Sequence, residues 1–315
     1  MSAIFPRPSK VLAFTCGDPA GVGPRAVLEC LRSGALPRGV SPVLVGEASV
    51  WRRAGWRASD GSVFDTGLGL ALPRLGRPSA AGGRLSAQSL EAAVRLIARG
   101  RAHGLVTAPI SKGSWALAGY PWRDHTERLD AVDPARGAEM ILGVPGRALW
   151  CVIATRHVPL KDVARALTPR GVASCALALD AALRRLRARA PRLALCALNP
   201  HAGEGGLMGV EETRVLKPAL ARLRRQGLRL DGPLPADSAW RLHARGVYDG
   251  LVCLYHDQAL IPLKVLGNLS GVNWTVGIPF IRTSPAHGTA YDAALSGRID
   301  PAATIEAARL AARLI

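Results

Sequence analysis

Lysine is scarce in this chain. Among 315 residues it occurs only at positions 10, 112, 161, 217 and 264, so arginine supplies the other 36 of 41 basic residues. Long apolar runs are missing too. None approaches the roughly 18 residues that a spanning helix needs, which excludes an integral helical membrane protein. Met1–Lys10 has no basic start followed by an apolar stretch, so no secretory signal is expected. Aromatic residues make up 5%, too few for a base-stacking nucleic-acid platform. The six cysteines (Cys16, Cys30, Cys151, Cys175, Cys196, Cys253) form no CxxC pair and lie mostly in apolar runs. That excludes a disulfide or cysteine–zinc framework and points to reduced thiols in a cytoplasmic protein. Neither a GxGxxG fingerprint nor a P-loop ending in GK[ST] is present, and no internal repeat is visible.

Hydrophobic residues make up 49% and charged residues 20%, so the chain can bury a sizeable core. The formal net charge is +18. The arginines are spread over helices, as in Arg184, Arg185, Arg187, Arg189 and Arg222, Arg224, Arg225, rather than gathered in a tail. They read as a solvated basic face. A nucleic-acid partner is not expected, and a basic polyanion-binding protein is the remote alternative.

Strand-like apolar runs alternate with helical patterns. Strands are expected at Val11–Thr15, Pro42–Val45, Gly104–Thr107, Ala148–Ala154, Leu193–Leu198, Gly250–Tyr255 and Trp274–Ile281. Helices are expected near Pro24–Arg32, Ser86–Arg99, Gly171–Ala190, Glu211–Arg225 and Pro301–Ile315, with an irregular segment from Ser59 to Gly83. In the second helix Leu90, Val94 and Ile97 share one face. Such alternation favours an α/β fold with a largely parallel sheet.

In α/β folds, chemistry collects at the C-terminal ends of strands. His157, His201 and His256 each follow a different expected strand. Neutral imidazoles suit zinc and similar divalent ions, and three such ligands leave an open coordination position. Lys112 and Lys264 lie in loop-like segments despite the scarcity of lysine. Arg282 ends a strand-like run, Asn273 sits just before it, and His125 with Thr126 can donate to phosphate oxygens. Together they suit a charge-assisted anion pocket. The turn His287-Gly288-Thr289-Ala290 offers close backbone approach to a ligand. Asp292 just beyond it can accept from a ribose diol, which would favour NAD over NADP.

Taken together, GDPAGVGP (17–24), TAPISK (107–112), HTE (125–127), RHVPLKDV (156–163), LNPHAGEGGLMGVEE (198–212), GPLPADSAW (232–240), YDGLVCLYHDQALIPLK (248–264) and GVNWTVGIPFIRTSPAHGTA (271–290) resemble the PdxA family of NAD-dependent 4-hydroxythreonine-4-phosphate dehydrogenases. The resemblance implies an isocitrate/isopropylmalate-dehydrogenase-like α/β fold with two subdomains flanking a cleft, here residues 1–130 plus 275–315 and residues 131–274. It implies a homodimer with the active site shared between subunits and a divalent metal (zinc, magnesium or cobalt) on His157, His201 and His256. Substrate contacts carry over to His125, Thr126, Lys264, Asn273 and Arg282. Cofactor contacts are expected at His287, Gly288, Thr289, Ala290 and Asp292. Asp237 and Lys112 are the candidates for removing the hydroxyl proton. The implied reaction oxidises 4-phosphohydroxy-L-threonine with NAD and then loses carbon dioxide, giving 3-amino-2-oxopropyl phosphate for vitamin B6 synthesis. A related dehydrogenase of another phosphorylated hydroxy acid, or of a dihydrodiol carboxylate, is the alternative. Three positions depart from the family pattern: Arg25 where Glu is usual, Asp124 where Gly is usual, and Ala286 where Asp is usual.

Overall fold

The computed structural model describes residues 10–134, 137–187, 189–268 and 270–315. Residues 1–9, on which the expectation about a leader rests, lie outside them, as does residue 188 within the helix expected to reach Ala190.

In chain order the elements begin with β1 (Lys10–Thr15), α1 (Gly23–Arg32), β2 (Val40–Val45), α2 (Ala48–Arg53), β3 (Ser62–Phe64), α3 (Ala80–Ala98), β4 (Gly104–Thr107), α4 (Lys112–Leu117) and α5 (His125–Asp130). They continue with β5 (Glu139–Val144), β6 (Leu149–Thr155), α6 (Val163–Ala166), α7 (Pro169–Arg184), β7 (Leu193–Cys196), α8 (Lys217–Arg225), β8 (Leu230–Leu234), α9 (Ala236–Ala244), β9 (Gly250–Tyr255) and α10 (His256–Gly267). The chain closes with β10 (Val272–Val276), β11 (Ile281–Pro285), α11 (Tyr291–Ser296) and α12 (Ala302–Leu314). This is the α/β alternation expected from the sequence.

Contacts divide the chain into two compact units, one of Met1–Ala138 with Val272–Ile315 and one of Glu139–Gly271. In the first, the strands run β3-β2-β1-β4-β11-β10. All neighbours there are parallel except β10 and β11. Its core is built on the buried face of α3, where Leu90 and Leu96 pack with Leu105, Trp115 and Leu129, and Val94 and Ile97 close the rim. In the second unit the order is β5-β6-β9-β7-β8, with only β5–β6 antiparallel. Leu142, Ile153, Cys253 and Leu263 lie in its core. All six cysteines are free and buried. Among the described residues no helix is long and apolar enough to cross a membrane.

Four differences from the sequence reading stand out. Helix α3 starts at Ala80 rather than Ser86 because the Ser79 side chain caps it, accepting the Gly82 N–H at 3.0 Å. Gly82 and Gly83, at the end of the stretch read as irregular, are inside the helix. A Cβ on Gly83 would overlap the Ser114 carbonyl of α4, so helix-to-helix contact needs glycine there. Helix α7 stops at Arg184, and the chain then brings Arg187 and Arg189 onto the buried Asp249 at 3.0 and 2.8 Å. The helix expected from Glu211 opens with a π-helical turn, Glu212–Leu216, before α8. The run Trp274–Ile281 is two antiparallel strands rather than one. Gly277, at φ 81°, and Pro279, without an N–H, break it, so Arg282 lies inside β11 and Asn273 inside β10.

Candidate active site

In the first unit, strand register places three polar side chains together. Arg282 pairs with Leu105 of the parallel β4 and with Thr275 of the antiparallel β10. Side chains alternate along a strand, so Thr107, two residues beyond Leu105, shares the face of Arg282. The guanidinium uses that proximity. Its Nε and one terminal nitrogen donate to Thr107 Oγ1 (3.1 and 2.6 Å), and the other donates to Thr275 Oγ1 (2.8 Å). Arg282 is only 3% exposed. Burial lowers its pKa to about 10, while Asp124 opposes that shift through space. The cation is thus desolvated, and its hydrogen bonds go to neutral hydroxyls. A charge in that state favours an incoming anion.

His125 opens α5 beside this cation. It is buried, with the edge of the Trp115 indole against it at 5.6 Å between ring centroids. Burial first, and the Arg282 charge second, drive its pKa well below 6.5, so the ring is neutral. Its Nε2 is buried without a hydrogen-bond partner. Thr126 is buried next to it, and Asn273 Oδ1 is a further buried atom without a partner. Such orphans are uncommon unless a ligand or water satisfies them. Asp124, one of the departures from the family pattern, is the N-cap of α5, accepting the Glu127 N–H at 2.9 Å. Its carboxylate is therefore committed to the helix end and supports the Arg282 charge. Lys112 is exposed at the start of α4.

The turn His287-Gly288-Thr289-Ala290 follows β11. Its Thr289 carbonyl accepts the Val22 N–H at 3.0 Å, which ties it to the glycine loop after β1. His287 Nδ1 lies 2.8 Å from the Gly288 carbonyl, and its Nε2 is buried without a partner. That orphan fits a hydrogen-bonding ligand. Gly288, Ala290 and Asp292 are exposed, with Asp292 in the first turn of α11. Beneath the turn lies a network that sequence reading missed. Buried Asp18 accepts from Ala20 N (2.9 Å), Ser114 Oγ (2.5 Å) and Tyr291 OH (2.9 Å), joining β1, α4 and α11. The signal was the aspartate in GDPAG, legible as a motif but not as a partner of residues 96 and 273 positions away. Arg25 is exposed and lines a shallow cleft with Arg53, Val50, Leu75 and Ile299. Ala286 is half-buried after β11, and nothing in the structure explains its departure from the family pattern.

In the second unit, His157, His201 and His256 follow β6, β7 and β9, at the strand ends where the sequence reading put them. His157 and His256 come together, with ring centroids 6.3 Å apart. Two imidazoles on one tetrahedral cation at about 2.1 Å have centres about 5.3 Å apart, so the two rings are neighbours set about 1 Å wider than that gap. His256 Nδ1 lies 2.6 Å from Asp257 Oδ1. A carboxylate on one ring nitrogen orients a metal-ligating histidine and leaves the other nitrogen to bind, so the donor chemistry fits a divalent cation. Among the described residues of one chain, however, no three His, Cys, Asp or Glu side chains stand close enough to hold a metal together. His201 is not brought into the pair within a single chain. It is exposed and heads a left-handed run, with φ 52° at His201, 55° at Ala202, 75° at Gly203, 40° at Glu204 and 71° at Gly205. Its three non-glycine members cost about 1–2 kcal/mol each in that conformation. Lys264, expected in a loop-like segment, lies instead within helix α10, and Asp237 lies on α9; both are exposed.

Comparisons with known proteins fit these features. The family described as pyridoxal phosphate biosynthetic protein PdxA matches residues 42–311. A 4-hydroxythreonine-4-phosphate dehydrogenase of Paracoccus denitrificans is 41% identical over 317 residues, covering 96% of this chain and 97% of its own. A protein of Bradyrhizobium diazoefficiens, provisionally named a D-threonate 4-phosphate dehydrogenase, is 37% identical, with 97% of each chain covered. Among solved structures, 4-hydroxythreonine-4-phosphate dehydrogenase from Klebsiella pneumoniae superposes with a TM-score of 0.84 at 34% identity, covering 97% of this chain and 98% of its own. With a match over most of its length and relatives of this identity, the chain belongs to the PdxA family of pyridoxal phosphate biosynthetic proteins.

Proposed function

We propose that this chain is an NAD-dependent dehydrogenase of 4-phosphohydroxy-L-threonine in vitamin B6 synthesis. It oxidises the secondary alcohol, and the β-keto acid then loses carbon dioxide to leave 3-amino-2-oxopropyl phosphate. The observation that carries the reading is Arg282, a buried cation bonded to hydroxyls beside a neutral His125 whose Nε2 has no partner. A phosphoryl group would satisfy both.

The roles follow from the side chains. Arg282 neutralises phosphate charge where water does not compete. His125, kept neutral, donates one N–H to a phosphate oxygen, and the Thr126 hydroxyl donates another. Asn273 Oδ1 accepts from the substrate's ammonium or hydroxyl group. Lys264 adds a cation that neutralises substrate charge. His287, Gly288, Thr289, Ala290 and Asp292 hold the dinucleotide. His157, His201 and His256 hold a divalent cation such as zinc, magnesium or cobalt. Bound there, the cation would supply Lewis-acid polarisation of substrate oxygen, and NAD would accept the hydride. Lys112 or Asp237 takes the hydroxyl proton.

The third histidine ligand comes from a second copy of the chain, in a homodimer with a shared site. Two exposed apolar residues one turn apart on α10, Ile261 (61% exposed) and Val265 (73%), suit such an interface. Ile261→Glu with Val265→Glu should yield monomers in light scattering. A dimer that persists would remove α10 from the interface. The setting proposed is the cytoplasm.

The decisive assay follows NADH formation from 4-phosphohydroxy-L-threonine, with carbon dioxide release, before and after chelation. Turnover lost on chelation and restored by a divalent ion is expected. The anion pocket reads a phosphoryl group and not the substituent at the next carbons, so D-threonate 4-phosphate is the comparison substrate. A higher kcat/KM for it would replace the proposed substrate. Failure with both, together with salt-sensitive RNA binding, would overturn the enzyme reading.

A further inference from the structure

The left-handed run from His201 to Gly205 needs an anchor outside itself, because strained backbone persists only where its surroundings over-determine it. Immediately before the run, that anchoring converges on one carboxylate. Glu212 is 2% exposed. Its Oε1 accepts the backbone N–H groups of Leu198 (2.9 Å) and Asn199 (2.8 Å), and its Oε2 accepts Asn199 Nδ2 (2.9 Å). These residues directly precede Pro200 and His201. The same carboxylate also lies against the loop beyond His201, since a Cβ on Gly203 would fall 2.7 Å from Glu212 Oε2. One side chain therefore holds the backbone before the histidine and lies against the loop after it.

Asn199 is locked from a second side. Its Nδ2 also donates to Glu211 Oε2 at 2.8 Å, which helps hold the Glu211 carboxyl below its ordinary pKa. Between two carboxylates the amide must present its NH₂ and not its oxygen. The hydrogen bonds that Glu212 receives come from uncharged N–H groups. Its burial is compensated by the loop it holds rather than by a counter-ion.

We propose that Glu212 is the positioning residue for His201, its carboxylate fixing the left-handed loop so that the imidazole is presented to the cation. This rests on the reading of His201 as a metal ligand. An amide at position 212 would keep one acceptor but turn a donor toward Asn199 Nδ2, and Asn199 has no alternative orientation that satisfies Glu211.

The test titrates full-length protein, stripped of metal, with Co²⁺ alone and follows visible absorption. Glu212→Gln should weaken Co²⁺ binding by about tenfold or more, the usual effect of losing a partner behind a ligand. The stripped variant should still unfold in one cooperative transition, at a midpoint lowered by the unpaired donor, so the lost affinity is read on folded protein. Unchanged Co²⁺ affinity in Glu212→Gln, with His201→Ala abolishing binding, would overturn the positioning role alone. No Co²⁺ binding by the unsubstituted protein, or none of it sensitive to His201→Ala, would remove the metal reading itself. If Glu212→Gln does not fold, Asn199→Ala makes the comparison instead. It removes the amide held by Glu212 Oε2 and Glu211 Oε2, so weaker binding supports the clamp and unchanged binding refutes it.

Discussion

Arg282 donates twice to the single hydroxyl of Thr107, across 175 residues of sequence. The two stand on one face of neighbouring parallel strands, and the arrangement leaves a buried positive charge held by oxygens that carry none. A site built this way is poised for an anion at some expense to stability.

Replacing the cation should separate those two effects. Arg282→Met removes a buried charge while keeping much of the volume, so the thermal midpoint should hold or rise. Affinity for a phosphorylated substrate should fall by about 2–3 kcal/mol, roughly 30- to 150-fold in KM. Differential scanning calorimetry and steady-state kinetics on the same preparation check both. A lower midpoint with an unaltered KM would make Arg282 a structural residue.

Thr107→Val keeps the shape but strips the acceptor from two guanidinium nitrogens. Leaving those donors unpaired in a buried position should cost about 1–3 kcal/mol in urea denaturation. Thr107→Ser keeps the hydroxyl and should lose much less. Equal losses from both would place the effect in the methyl group's packing.

The buried histidines set an acid limit. His125 and His243 both have pKa values pushed below 6.5, chiefly by burial. In the unfolded chain each titrates near 6.5, so below that pH the unfolded state binds more protons than the folded state. The stability they allow is complete above pH 6.5 and is lost as the pH falls below it. Each contributes a slope of up to about 1.4 kcal/mol per pH unit. His125→Gln should flatten the fall in unfolding free energy below pH 6.5, and an unchanged slope would mean that His125 is protonated in the folded state.

Helix α3 depends on a missing side chain. Gly83→Ala would force a methyl into the Ser114 carbonyl, with the backbone of α4 as the obstacle. Overpacking of this kind should destabilise the first unit by about 1–3 kcal/mol. Gly100→Ala provides the contrast, since nothing lies near a Cβ at Gly100, although its φ of 66° adds its own backbone strain. If Gly83→Ala were fully neutral in chemical denaturation, close approach of α3 and α4 would not be what requires glycine.

Much of the architecture was legible in advance because local pattern encodes local periodicity. The short apolar runs ending at Thr15, Thr107 and Tyr255 are strands, and the polar residues that follow them carry the candidate chemistry. His157, His201 and His256 were legible for the same reason, since a parallel strand's C-terminal end is marked by where its apolar run stops. Arg282 was read as the end of a strand although the breakers are local, Gly277 and Pro279 lying inside the run. Other features left no local trace. Glycines 82 and 83 looked like a loop because the neighbour that requires them lies in another helix.

By itself, then, the sequence determined many of the strands and helices and which residue types stand at their ends, because those depend on neighbours a few positions away. Tertiary structure alone decided that Thr107, Thr275 and Arg282 meet on one face and that Asp18 joins Ser114 to Tyr291. It also decided that Glu212 reaches back to Asn199. Those contacts depend on strand register and chain return, which bring distant residues within hydrogen-bond range and which no local pattern records.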